Sequence, residues 1–383
     1  MNSRPYGPHV RVSACKADVL SGESMLLTRL NYRPRPKTRK PCPGRLRFRW
    51  RLPFLDHQGS LHFYTRNTHF SFWTFMAGKE PFVYIDGEYH PKGEAKISVY
   101  DHGLLYGDGV FEGIRAYNGT VFRLREHVER LFEGLRVIRV NIPLTKEQVM
   151  NAIVETLRRN NLADAYIRLV ITRGRGNLGL DPRSCPKPSI IIMTEPVLPA
   201  HGKEAREKGV TAVISSLRRD MVDGTSHEVK SLNYIQSVLS KFQAIDSGTD
   251  EVVMLDHRGM VSEFHGSNLF IVKQGIIHTP TSAAGILHGV TRARVMKLAE
   301  ELGYEVRERD ITPYELMTAD EAFLTGTMAE VVPVVKIHGV AIAEGKPGPV
   351  TREIIRGFQR IIQDPKEGVP IRETIAIPAK TRN

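Results

Sequence analysis

Three side chains of this sequence are candidates for a chemical role: the amine of Lys230, the carboxylate of Glu263 and the guanidinium of Arg130. An amine can act as a nucleophile, a carboxylate can hold a proton and a guanidinium can bind an anion. Each is also a common surface residue. A lysine such as Lys230 is usually a solvated surface residue, and so is a glutamate beside a glycine-containing turn, such as Glu263. Arg130 falls in a helical pattern, where an arginine is more often an ion-pair partner than a ligand-binding residue. Singly, none of the three indicates a function.

A glycine-rich stretch points to a different chemistry. Residues 174–179 satisfy the pattern G-x-G-x-x-G and follow a predicted strand, which is how many dinucleotide-binding sites begin. The next residues include Pro182, Pro186 and Pro188, so they cannot form the helix whose first N–H groups would face a pyrophosphate. We therefore interpret the stretch as a mobile loop over a site or as a plain surface turn.

The elements that must position these residues alternate between helices and strands. Residues 126–137 have apolar side chains at the i, i+3, i+4, i+7 spacing of a buried helix face. Thr145 and Gln148 have the spacing of a capping box, which predicts the start of a second amphipathic helix. β-forming residues predict strands over residues 82–89, with an Asp86-Gly87 turn signal, and over residues 165–172 and 189–193.

The second half of the chain repeats this mixture without repeating the sequence. Periodicity predicts helices over residues 235–242, 295–302 and 354–362, and strands over residues 251–255, 268–272, 276–278, 322–325 and 334–340. The expected fold class is therefore mixed α/β. We predict a smaller domain over residues 76–200, a larger one over residues 201–365 and a tail over residues 366–383.

The positive charge of the protein is concentrated near its N-terminus. Residues 1–75 hold 14 Lys or Arg against three acidic residues, so they supply +11 of the net charge of +12. The nearly neutral remainder gives no reason to expect nucleic-acid binding. No run of 18 uncharged apolar residues is present, so we expect no membrane span. Cys15, Cys42 and Cys185 lack metal-like spacing, so we expect no metal site and a reducing compartment.

Residues 1–75 lack a sustained pattern, and we expect an unstructured extension there. Three interpretations stay open. In the first, Met76 is the true first residue of the protein, and the protein is then cytoplasmic. In the second, the Arg-rich and acid-poor segment is a transit peptide to an organelle. In the third, it is a basic arm that contacts nucleic acid or acidic partners.

Seven stretches in a fixed order resemble the fold type IV class of pyridoxal-phosphate enzymes, most closely the bacterial branched-chain amino acid aminotransferases. The resemblance runs from about residue 82 to residue 363. The stretches are residues 101–115, 126–131 and 165–168, Lys230-Ser231-Leu232-Asn233-Tyr234, and residues 262–270, 289–292 and 326–333. Such a resemblance implies two α/β domains and pyridoxal 5'-phosphate as the cofactor.

The resemblance also implies a role for each matching cofactor residue. Lys230 would hold the cofactor as a Schiff base and then move the proton between the substrate Cα and the cofactor. Glu263 would sit against the pyridine nitrogen, and Tyr234 would bond the ring oxygen. The phosphate would bind a group made of Arg130, Val290, Thr291 and Thr327.

Substrate residues follow from the same resemblance. Tyr166 and Arg168 are two apart on a predicted strand, so their side chains share a face. Aromatic walls suit an aliphatic side chain, and an arginine suits the distal carboxylate of glutamate. The full implied set is Tyr106, Phe111, Tyr166, Arg168, Thr327 and Met328. We expect amino transfer between a branched-chain L-amino acid and 2-oxoglutarate, with amino acids and 2-oxo acids as the small-molecule partners.

Two departures from the resembled pattern leave alternatives open. Ser231-Leu232-Asn233 replaces the small residues that often follow the lysine, and residues 217–220 replace an aromatic wall found in some relatives. A D-amino acid aminotransferase and an aminodeoxychorismate lyase of the same fold are the alternatives. The resemblance further implies a homodimer or homohexamer, and it does not rank leucine, isoleucine and valine.

Overall fold

The computed structural model describes residues 80–197, 202–221, 223–224, 226–372 and 374–375, and the strands within residues 54–72. Met1–Ala77 and Gly78–Asn383 are separate units. In the first unit, β1 (Phe54–Leu55), β2 (Leu61–Thr65) and β3 (Thr68–Phe72) form an antiparallel sheet in that order. The expected unstructured extension otherwise lies outside the described residues.

A seven-stranded antiparallel sheet begins the second unit. Its strands are β4 (Phe82–Ile85), β5 (Glu88–Pro91), β6 (Gly109–Tyr117), β7 (Thr120–Phe122), β8 (Ala165–Thr172), β9 (Ser189–Pro196) and β19 (Gly368–Pro370). Their order is β19-β7-β6-β8-β9-β4-β5. The predicted Asp86-Gly87 turn is confirmed, since both residues have positive φ and connect β4 to β5.

Three helices accompany this sheet: α1 (His102–Tyr106), α2 (Leu124–Val137) and α3 (Lys146–Arg159). The predicted capping box is present at the start of α3, where Thr145 and Gln148 exchange side-chain and backbone hydrogen bonds. The apolar faces of α2 and α3 pack on the sheet in one core, with Leu131, Ile153 and Ile167 buried in it. Burial of these faces fixes α2, and therefore Arg130, relative to β6.

The larger sheet has nine strands of mixed direction. They are β10 (Val210–Arg218), β11 (Glu251–Leu255), β12 (Val261–Phe264), β13 (Asn268–Lys273), β14 (Ile276–Thr279), β15 (Val306–Glu308), β16 (Glu321–Gly326), β17 (Glu330–Ile337) and β18 (Val340–Ala341). The order is β12-β11-β10-β17-β16-β13-β14-β15, and β18 pairs with β17.

Five helices accompany the larger sheet: α4 (Gly202–Lys208), α5 (Ile235–Asp246), α6 (Val290–Glu301), α7 (Pro313–Met317) and α8 (Pro349–Ile361). The sheet is buried on both faces, so neighbouring residues such as Phe323 and Leu324 belong to different cores. The core that holds Phe323 also holds Tyr117 and Phe122 of the smaller sheet. That shared core connects the two sheets; the predicted boundary at residues 200 and 201 stays a prediction.

Two expectations from the sequence were wrong. The single strand expected over residues 334–340 is interrupted by a turn at His338 and Gly339, both with positive φ, which separates β17 from β18. The tail expected from residue 366 contains β19, which pairs with β7. Val369, Ile371 and Ile375 are buried in the core of the smaller sheet, so apolar burial holds this segment in the fold.

Candidate active site

A cavity of about 510 Å³ is lined by residues of both sheets, a size typical of small-molecule sites. Phe111, Tyr166 and Arg168 come from β6 and β8 of the smaller sheet. The larger sheet and its loops supply the opposite side. Of the twelve residues predicted for the site, eleven line this cavity: Phe111, Arg130, Tyr166, Arg168, Lys230, Tyr234, Glu263, Val290, Thr291, Thr327 and Met328.

Lys230 is held at the cavity by its own backbone. The segment before α5 pairs with β6, where Phe111 N donates to Lys230 O at 3.0 Å and Leu232 N donates to Gly109 O at 3.0 Å. The Lys230 Nζ donates to the Tyr234 hydroxyl at 3.0 Å and lies 4.5 Å from the centre of the Phe111 ring. Its environment is therefore a hydroxyl and two aromatic rings, which leaves the amine available to react.

Glu263 lies on β12, and its carboxylate accepts hydrogen bonds from three donors. Arg219 Nη2 donates to Oε1 at 3.0 Å, while Asn268 Nδ2 at 2.8 Å and Leu287 N at 3.2 Å donate to Oε2. Burial raises the pKa of the Glu263 carboxyl above its ordinary value, and the nearby charges of Arg219 and Lys230 oppose this only in part. A carboxylate with a raised pKa can share a proton with a ligand in the cavity.

Arg219 is a site residue that the sequence analysis missed. Its guanidinium is buried and also reaches Phe264 O at 3.1 Å and Ser237 Oγ at 3.3 Å. The pairing with Glu263 spans 44 positions of sequence, so no spacing rule could have revealed it. The unusual residues 217–220, noted only as a missing aromatic wall, were the available signal.

Arg130 and the start of α6 lie next to each other and line the cavity. Arg130 Nη1 donates to His288 O at 2.7 Å, one residue before the N-cap Gly289. Within the described part of the chain no side chain caps α6, so its first N–H groups at Val290 and Thr291 are free of a side-chain acceptor. A Cβ at Gly289 would lie 2.0 Å from Asn268 Oδ1, so only glycine fits. A helix start beside a guanidinium suits an anion such as a phosphate.

The face formed by β6 and β8 is aromatic and positively charged. Arg168 Cζ lies 4.7 Å from the centre of the Phe111 ring and 5.4 Å from that of Tyr166. A Cβ at Gly113 would come within 2.5 Å of the Tyr166 hydroxyl, so the glycine leaves room for that ring. The side chains can therefore contact an aliphatic group and also bind a carboxylate.

Tyr106 is the predicted site residue that does not line the cavity. It ends α1, where its ring packs edge-on against His102 with centroids 4.9 Å apart, and its hydroxyl donates to Leu178 O. His102 Nε2 also lies 2.8 Å from Asn177 O. The glycine-rich loop thus packs on α1. Only a short turn, Pro182–Ser184, follows it, as the prolines predicted.

The chain is similar to known proteins in sequence and in fold. Residues 109–337 match the family model described as amino-transferase class IV. A protein of Methanocaldococcus jannaschii is 50% identical over 279 residues, which cover 73% of this chain and 96% of that protein. The crystal structure of a branched-chain amino acid aminotransferase from Escherichia coli aligns with a TM-score of 0.72 and 37% identity, covering 74% of this chain and 95% of the other. The branched-chain amino acid aminotransferase from Thermobaculum terrenum, in its PLP-bound holo-form, aligns with a TM-score of 0.67 and 30% identity, over 74% and 95% of the two chains.

Proposed function

Because the chain belongs to the class IV amino-transferase family, we propose that it transfers an amino group between a branched-chain L-amino acid and 2-oxoglutarate, with pyridoxal phosphate as cofactor. The products are the branched 2-oxo acid and L-glutamate. The observation that carries the proposal is one cavity that is lined by Lys230, Glu263 and Arg130, which come from different elements of the fold.

The residues of the cavity fit this cofactor. Thr325 lines the cavity, and its buried hydroxyl Oγ1 has no hydrogen-bond partner within the described part of the chain, so it is available to a bound group. The open N-terminus of α6 beside Arg130 suits a phosphate dianion. The Glu263 carboxylate suits a ring nitrogen that carries a proton. Arg130, Val290, Thr291 and Thr327 would hold the phosphate, and Lys230, Tyr234 and Glu263 the ring.

The chain's own groups then have defined tasks. When bound, the cofactor supplies a ring that accepts the electrons left at the substrate Cα. Lys230 would hold the cofactor through Nζ, and its amine, beside the Phe111 ring, would move the proton at the substrate Cα. As a carboxylate, Glu263 would favour a proton on the ring nitrogen, because a negative charge stabilises the protonated ring. Tyr234 holds Nζ in place before the substrate arrives.

Substrate binding uses the face of Phe111, Tyr166 and Arg168. The two rings contact the branched aliphatic side chain. Arg168 has no carboxylate partner among the described residues, so its guanidinium can bind the distal carboxylate of glutamate or 2-oxoglutarate. Thr327 and Met328 complete the wall. Tyr106 is not placed at the substrate by the fold of a single chain.

A cytoplasmic homo-oligomer is part of the proposal. Apolar side chains along one helix, α5, are exposed in the single chain: Ile235, Val238, Leu239, Phe242 and Ile245. A stripe of this kind is typical of a surface that another chain covers. No helix within the described residues has the length and apolar content that a membrane crossing needs.

A spectrum and a donor panel test this function. Purified protein with pyridoxal phosphate should absorb visible light, and Lys230→Ala should lose both that absorbance and transamination, while the exposed control Lys203→Ala keeps them. L-leucine and L-glutamate should be donors, and D-alanine should not. Initial-velocity plots should give parallel lines, since one product leaves before the second substrate binds. A protein that stays colourless with the cofactor present would overturn the proposal.

A further inference from the structure

The guanidinium of Arg130 is held by the protein on three of its N–H groups. Nε donates to Glu112 Oε1 at 2.8 Å, Nη2 to Glu112 Oε2 at 2.7 Å and Nη1 to His288 O at 2.7 Å. A guanidinium has five N–H groups. One hydrogen therefore remains on each terminal nitrogen, and Arg130 lines the cavity.

Glu112 acts on Arg130 from outside the cavity. It follows Phe111 on β6, so its side chain leaves the opposite face of the strand, towards α2. Its carboxylate is fully buried. A third donor, His127 Nδ1, lies 2.8 Å from Oε2, and the His127 side chain is also buried. Both carboxylate oxygens are thus occupied by α2 side chains.

The charge states in this cluster follow from the contacts. Burial alone would raise the pKa of Glu112, but the charge of Arg130 and the hydrogen bonds from Arg130 and His127 outweigh it and lower the pKa to about 2. Burial lowers the pKa of His127, so its imidazole is neutral at pH 7 and must donate from Nδ1, because the ionised carboxylate can only accept. The cluster therefore consists of one anion, one cation and one neutral donor.

We propose that Glu112 is a positioning residue that holds Arg130 so that its two remaining N–H groups face the cofactor phosphate, and that it thereby sets the preference for phosphorylated over unphosphorylated cofactor. The inference rests on the proposed function. Glu112 does not line the cavity and touches no cofactor atom itself. Its effect passes through the bidentate contact with Arg130, which fixes both the plane and the position of the guanidinium.

The experiment compares two ligands of the cofactor-free protein, pyridoxal phosphate and pyridoxal, by the absorbance change on binding. Both can react with Lys230, but only the first has a phosphate. Glu112→Gln places an amide donor where Oε2 accepts, so one bond to Arg130 is lost. A charge-assisted hydrogen bond of this kind corresponds to about tenfold in affinity. We expect the ratio of pyridoxal to pyridoxal phosphate Kd to fall about tenfold, with the pyridoxal Kd nearly unchanged.

Two variants separate positioning from general stability and from charge. Glu321→Gln is the matched control, because Glu321 is a buried glutamate that caps α8 through Val350 N and Thr351 N and does not line the cavity. The ratio of the pyridoxal Kd to the pyridoxal phosphate Kd in Glu321→Gln should equal that of the original protein. Glu112→Asp keeps the charge but is too short for both bonds, so its ratio should also fall; it serves if Glu112→Gln does not fold.

Arg130→Gln provides the last comparison. If Glu112 acts through Arg130, adding Glu112→Gln to Arg130→Gln should change the ratio no further. An unchanged or increased ratio in Glu112→Gln would overturn the inference while leaving the proposed function intact. Failure of the unsubstituted protein to bind pyridoxal phosphate would overturn both.

Discussion

Two buried glutamates each pair with an arginine that lines the cavity, yet the two carboxylates behave in opposite ways. Glu112 accepts two hydrogen bonds from Arg130 and one from His127, and its pKa is lowered to about 2. Glu263 accepts one bond from Arg219 and two from neutral amides, and burial raises its pKa. Both carboxylates are buried, so the difference between their pKa values follows from the number of hydrogen bonds that each accepts from a charged guanidinium.

This contrast assigns different tasks to the two pairs. A carboxylate that is ionised at every ordinary pH is a fixed anchor for Arg130. A carboxylate whose pKa is raised is able to accept a proton and to share it with a ring nitrogen. Under the proposed function, the Glu112–Arg130 pair would fix the position of the phosphate group, and Glu263 would exchange a proton with the ring.

Replacing each glutamate in turn with glutamine tests whether the two carboxylates have different roles. Glu263→Gln should lower kcat about a thousandfold at saturating cofactor, within the usual range for a lost proton-holding group. Glu112→Gln should leave kcat within about threefold once the cofactor is saturating, because Glu112 touches no reacting atom. Steady-state kinetics with L-leucine and 2-oxoglutarate measure both values. Equal losses of kcat would contradict the division of tasks.

The pH dependence of stability should also differ between the two variants. The folded pKa of Glu112 lies below the unfolded value of 4.5, so its contribution is present above pH 4.5 and is lost as pH falls towards 2. The shift corresponds to about 3 kcal/mol. The pKa of Glu263 is raised, so its contribution is present below pH 4.5 and is lost as pH rises.

Urea unfolding of the cofactor-free protein from pH 3 to pH 7 measures these slopes. Glu112→Gln should flatten the loss of unfolding free energy at acid pH. Glu263→Gln should steepen it, since a component that opposes that loss is removed. Variants with the same slope as the original protein would show that neither carboxylate is perturbed as described.

Arg168 extends the comparison to a guanidinium that, among the described residues, has no buried carboxylate partner. Arg168→Gln should raise KM for L-glutamate by about 10- to 100-fold, because a charge-assisted contact contributes about 1.5–3 kcal/mol. KM for L-leucine should change much less, since its side chain contacts the aromatic rings. Arg175→Gln, a change in the loop against α1, is the control. Equal increases for both donors would contradict the role.

The smallest expected effect concerns His227, which lies beside Arg219. Burial, followed by the charge of Arg219, lowers the pKa of His227 to about 4, although Asp220 Oδ2 lies 3.6 Å from its Nε2 and opposes this. Its contribution to stability is therefore present above pH 6.5 and is lost as pH falls towards 4. His227→Gln should reduce that loss by about 1 kcal/mol. The same unfolding series tests it, and an unchanged slope between pH 6.5 and 4 would contradict it.

Much of the molecule was predictable from local pattern. The capping box at Thr145, the hairpin turn at Asp86-Gly87 and the strand over residues 165–172 follow from short-range rules, and all three are present. Eleven of the twelve site residues that the family resemblance predicted line one cavity of the structure. The break at His338 was missed although it is a local hairpin turn between β17 and β18. The role of β19 was missed because it depends on pairing with β7, which is distant in the sequence.

The sequence by itself determined the chemical groups and their order: an amine at Lys230, carboxylates at Glu112 and Glu263, and arginines at positions 130 and 219. Only the tertiary structure decided which arginine pairs with which glutamate. Those pairings span 18 and 44 positions and join different elements. Because the pKa of a buried carboxyl depends on burial and on the donors around it, the two identical glutamate side chains acquire opposite properties only after folding.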